Sequence, residues 1–147
     1  MENHCIMRVF GKTIMPLLIA AFTILASGCS IFSSGEKSNN HLQLLDLADH
    51  LAKNGIPVTQ VQPINPTVYG AEGACAIQLA DDKEIGVYKY DITVNKMAED
   101  LAKFKRRGYA TTLGLKFPVL VYGSFMLVGV EVNDYRDKIT EAMKTFY

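Results

Sequence analysis

The feature that most limits what this chain can fold into is an uncharged run of 13 residues, Ile14 to Ala26 (IMPLLIAAFTILA). Arg8 and Lys12 precede it, and the small residues Ala26, Ser27 and Gly28 lead from it to Cys29. A helix of this length falls short of the roughly 18–20 apolar residues that span a bilayer. A buried helix fits poorly as well, because Ser27-Gly28 closes the run and the polar stretch SIFSSGEKSNN follows. A basic start, a short apolar middle and a small-residue end are the three parts of an export signal. An uncleaved anchor and an ordinary signal peptide share most of these features.

The pentad Leu25-Ala26-Ser27-Gly28-Cys29 resembles the lipobox of bacterial lipoproteins. Ala26 stands where such boxes most often carry Leu, and Leu25 is one step earlier. The resemblance ends at Cys29 and assigns no family to the rest of the chain. It implies a diacylglycerol thioether on the Cys29 sulfur and cleavage between Gly28 and Cys29, often followed by N-acylation. The first partner it implies is membrane lipid. One acyl chain holds a protein only marginally and two or more hold it firmly, at about 0.8 kcal/mol per buried methylene. Ser30 rather than Asp follows the cysteine. In a Gram-negative envelope this implies the outer membrane, facing the periplasm. In a Gram-positive cell it implies the outer face of the plasma membrane. Glu2 is unusual in a basic start, so Met7 is a candidate initiator, and Cys5 would then fall before it.

The expected organisation is a signal peptide over 1–28, a lipidated cysteine and flexible tether over 29–40, and a single α+β domain over 41–147. Eleven polar residues of tether reach about 20 Å on average. From Cys29 onward, Lys and Arg number 13 and Asp and Glu number 14, a net charge of −1. That balance gives no support to nucleic-acid binding, which uses a basic face. A domain of this size buries roughly 65 % of its unfolded surface and folds without metal or disulfide. With Cys29 lipidated, Cys75 is the one remaining cysteine and has no partner for an internal bridge.

Periodicity predicts a helix over 41–53, with Asn39 or Asn40 at its start and Asn54-Gly55 at its end. Strands are expected over 58–64, 74–79 and 85–90, the last two joined across Asp81-Asp82-Lys83. A helix over 95–107 ends at Gly108. A strand over 109–115 comes next, then a hairpin of 117–122 and 125–130 about Gly123-Ser124, where a leading Gly suits a type II′ turn. The last helix starts near Asn133-Asp134 and runs to about Thr145. Each of the two later helices follows a hairpin. The expectation is therefore an antiparallel sheet with about three helices packed on one face, arranged as two hairpin–helix units.

Candidate chemistry is sparse. Cys75 would need a nearby base to act as a nucleophile. The histidines after Cys29 are His41 and His50, nine residues apart on one helix and so on opposite faces. Ala74-Cys75-Ala76-Ile77 reads instead as a buried strand. The acids Asp81, Asp82 and Glu84 read as a turn, and Asp134 and Asp137 as helix-start residues. No catalytic residue, metal or cofactor is assigned. Tyr88, Tyr90 and Tyr122 are candidates for a ligand or partner surface on the sheet. Lys103, Lys105, Arg106 and Arg107 are candidates for membrane contact, at roughly 1 kcal/mol each beside anionic head groups. The expected function is a lipid-anchored envelope lipoprotein, a non-catalytic binding or assembly module with an envelope protein as partner. The alternative is an envelope hydrolase or a small-ligand or glycan-binding protein using the sheet face.

Overall fold

The computed structural model describes residues 38–80 and 82–147. The signal segment, the Gly28–Cys29 site, most of the expected tether and Asp81 lie outside them. The elements in chain order are α1 (Leu44–Lys53), β1 (Val58–Pro63), a 3-10 turn (Pro66–Tyr69), β2 (Gly73–Leu79), β3 (Glu84–Lys89), α2 (Asn95–Arg107), β4 (Tyr109–Thr112), β5 (Leu115–Tyr122), β6 (Phe125–Val128), a second 3-10 turn (Val130–Val132) and α3 (Arg136–Lys144). All six strands form one antiparallel sheet in the order β1-β2-β3-β6-β5-β4. With the three α-helices among the described residues, they make an α+β fold.

Side chains alternate across a strand, so each strand feeds two cores. Cys75, Ile77, Leu79, Ile85, Val87, Phe125 and Leu127 face one side. There they pack on Leu47, Ala48 and Leu51 of α1 and on Ile139, Ala142 and Met143 of α3. Ala74, Tyr88 and Met126 face the other side, with Leu101 of α2. Met97 and Phe104 of α2 and Val119 and Val121 of β5 join that second core. The helices thus cover both faces: α1 and α3 one, α2 the other. This corrects the expectation of helices on a single face. The two hairpin–helix units are present in chain order, but their helices go to opposite sides of the sheet. Helix periodicity shows that α2 has an apolar face and not which side of the sheet receives it.

Three of the boundaries that differ from the expectation have a hydrogen-bonded cause. Helix α1 begins at Leu44, because the Asp46 carboxylate accepts the Gln43 backbone N–H at 2.7 Å and starts the helix there. Helix α3 begins at Arg136, because Asn133 Oδ1 accepts the Tyr135 N–H at 2.9 Å and forms a turn ahead of it. The expected tether end, Asn39-Asn40, belongs to the folded unit. Asn39 is buried (2 % exposed). Its Oδ1 accepts the Ser124 N–H at 2.8 Å and the Ser124 hydroxyl at 3.1 Å, and its Nδ2 donates to the Phe146 carbonyl at 3.2 Å. A Cβ on Gly123, whose φ is +54°, would collide with Asn39 Oδ1. The chain therefore enters the described fold clamped against the β5–β6 turn.

Candidate functional site

The residues most able to do covalent chemistry are used as structure. Cys75 is 4 % exposed, and burial pushes its thiol up to about 11. A nucleophilic cysteine needs the opposite shift. His50 Nε2 lies 2.9 Å from the Ala142 carbonyl, and its ring is 5.1 Å from that of Phe146. His41 is exposed. Among the described residues, no three of His, Cys, Asp and Glu form a metal-holding group. Asp134 pairs with Lys83 at 2.9 Å and joins the segment ahead of α3 to the turn between β2 and β3.

The tyrosines divide. Tyr88 and Tyr90 are 7 % and 0 % exposed, so neither offers a ligand surface, which corrects the expectation for both. Both lie on the side that α2 covers. Burial is the main cause that raises each phenol above its usual range, Tyr90 the more strongly. Tyr90 donates its hydroxyl proton to the Tyr69 carbonyl at 3.0 Å. Tyr69 stands edge-on to Tyr88 at 4.8 Å and to Phe104 at 6.0 Å, and the Thr112 hydroxyl donates to the Tyr69 hydroxyl at 2.6 Å. This aromatic group is a brace between α2, the 3-10 turn and β4. Tyr122 is half-buried on the α1/α3 side, beside the Asn39 clamp. The three tyrosines do not form one face.

The exposed apolar surface lies elsewhere, on a feature the sequence reading missed. Strand β5 pairs with β6 only through Val119–Tyr122, and with β4 through Leu115–Pro118. Residues 109–118 therefore form a two-stranded arm running past the end of β6. Its turn is Leu113-Gly114, with φ of +51° and +80°, the signature of a type I′ turn. Leu113 is 98 % exposed, Leu115 63 % and Phe117 37 %. By strand alternation from Val119, Leu115 and Phe117 point to the side of the sheet that carries α2. On the other side, Lys116 Nζ lies 4.5 Å above the Tyr109 ring. Pro118 is tolerated because Val119 N–H donates to Gly108 O, so the backbone position of Pro118 faces away from β4.

The four candidate cations end α2, which runs directly into this arm. Lys103 is held by Asp100 at 2.9 Å. Arg106 and Arg107 are exposed on the last turn and form no ion pair among the described residues. Gly108, at φ +73°, closes the helix and turns the chain into β4. The sequence signal for the arm is Leu113-Gly114, an unusual turn pair, which the strand expected over 109–115 absorbs. No family model, no curated protein and no solved structure matches this chain.

Proposed function

We propose that this chain is a lipid-anchored envelope lipoprotein whose folded unit is a non-catalytic binding or assembly module. The observation that carries the reading is the lipobox-like pentad ending at Cys29, after the uncharged 13-residue run. The folded unit supports its non-catalytic half. Cys75 and His50 are committed to packing and a backbone bond, and helices occupy both faces of the sheet. A hydrolase or glycan-binding protein working from an open sheet face is the weaker alternative for the same reason. No helix among the described residues is long and apolar enough to cross a membrane.

The test is intact mass spectrometry of the membrane fraction, wild type beside Cys29→Ser. A mature species beginning at Cys29 with added acyl mass is the expected result. The Cys29→Ser chain is expected to accumulate as uncleaved precursor. An unmodified wild-type chain that retains residues 1–28 would overturn the anchor.

A further inference from the structure

We propose that the β4–β5 arm is a second membrane contact, with Leu113, Leu115 and Phe117 entering the headgroup region of an anionic bilayer while Arg106 and Arg107 meet its phosphates. The inference rests on the anchored reading above and adds where the folded unit touches the lipid.

Four observations carry it. Leu113 adopts a left-handed conformation that disfavours its own side chain, and it is almost wholly in water. Asn, Asp or Gly fits such a turn position better, so an exposed Leu there points to a use for its side chain. Among the described residues, the other exposed large apolar ones (Leu45, Val68, Val94, Val132 and Tyr147) are scattered over separate elements, whereas these three fall on one short hairpin. Charge agrees with a lipid occupant. Helix α2 carries five cations against two acids, although the chain after Cys29 has a net charge of −1. The positive end of this uneven distribution adjoins the apolar arm, the pattern by which polybasic segments find anionic headgroups. The reach of the chain agrees as well. Asn39 is fixed at one end of β5, and the arm turns at the other, about 23 Å away along the strand. Ten peptide steps from Cys29 to Asn39 span at most about 35 Å. An anchored chain can therefore hold its tether end and its arm on one bilayer, with β5 lying along the surface. A firm lipid anchor raises the effective concentration at which a weak second contact on the same chain meets the bilayer.

The test uses the processed, full-length lipoprotein in a Cys75→Ala background, with a single fluorophore on Leu113→Cys. The protein is placed in phosphatidylglycerol/phosphatidylethanolamine vesicles containing a lipid-borne quencher, and in phosphatidylcholine vesicles as reference. Strong quenching is expected in the anionic vesicles and little in the neutral ones. A label on Val132→Cys is expected to stay unquenched in both. Replacing both arginines (Arg106→Gln with Arg107→Gln) should lower the quenched-to-unquenched equilibrium about 30-fold. High salt should weaken it too. Absence of quenching at position 113 in anionic vesicles would overturn the proposal. So would concentration-dependent self-association that shields the label without lipid, which would assign the arm to a second copy. Intact mass separates the two readings. If the chain carries no acyl group the anchor fails, and quenching of the added protein still decides the arm.

Discussion

Leu113 shows how a single residue can trade stability for exposure. A non-glycine residue at positive φ carries roughly 1–2 kcal/mol of steric cost, which Asn tolerates better than Leu. Leu113→Asn is expected to raise the stability of the folded unit by about 1 kcal/mol, read as an increased urea midpoint, while removing the tip's apolar contact. Asn39 works in the opposite direction. Its amide satisfies the Ser124 N–H and hydroxyl and donates to two carbonyls within the fold. Asn39→Ala strands these groups, and a loss of about 2–3 kcal/mol is expected in denaturant unfolding. Cys75 gives a pH signature. Burial raises its thiol from an ordinary value of 9.0 to about 11, so the folded state holds this proton more tightly than the unfolded chain. Its contribution is complete below about pH 9 and disappears as pH rises through about 11, at a slope of up to about 1.4 kcal/mol per pH unit. The urea midpoint should fall across that window, and less steeply in Cys75→Ala. A wild-type midpoint that stays flat to pH 11 would contradict burial of the thiol.

Among the elements, the arm is the least supported. Within residues 109–118 only Ala110 is buried, whereas β3 and β6 are flanked by strands on both edges and packed on both faces. Few buried contacts mean low local opening free energy. Amide exchange is therefore expected to be markedly faster in Tyr109–Thr112 and Leu115–Phe117 than in Val87–Tyr88 and Met126–Leu127. Equal protection across the two would show that something covers the arm. The same element marks the limit of pattern reading. The spacing of Met97, Leu101 and Phe104 made α2 legible, and Gly123-Ser124 made the β5–β6 hairpin legible. The β4–β5 turn is hidden in the sequence because the β-branched Thr111-Thr112 and the two leucines flanking Gly114 suit one continuous strand over 109–115. Tyr88 and Tyr90 were misjudged because strand alternation reports that two residues share a face, while exposure depends on what lands there. Here α2 and the Tyr69 brace cover them.

At the scale of the molecule, charge is distributed by fold rather than by composition. A chain that is nearly neutral after Cys29 gathers its excess positive charge on one helix, next to the exposed apolar hairpin. Reading along the chain was enough to find the uncharged 13-residue run ahead of Cys29, the α+β class and most element boundaries. These follow from local properties: run length, residue chemistry, and periods of 2 and 3.6. Three features emerge only in three dimensions: α2 packs on the face opposite α1 and α3, Asn39 is a buried clamp rather than tether, and three apolar residues stay uncovered on an arm. Each depends on long-range placement. Which side of a sheet receives a helix, and which side chains are left in water, is set by the register and by the competition of all elements for the same two faces. A window of a dozen residues carries no record of that competition.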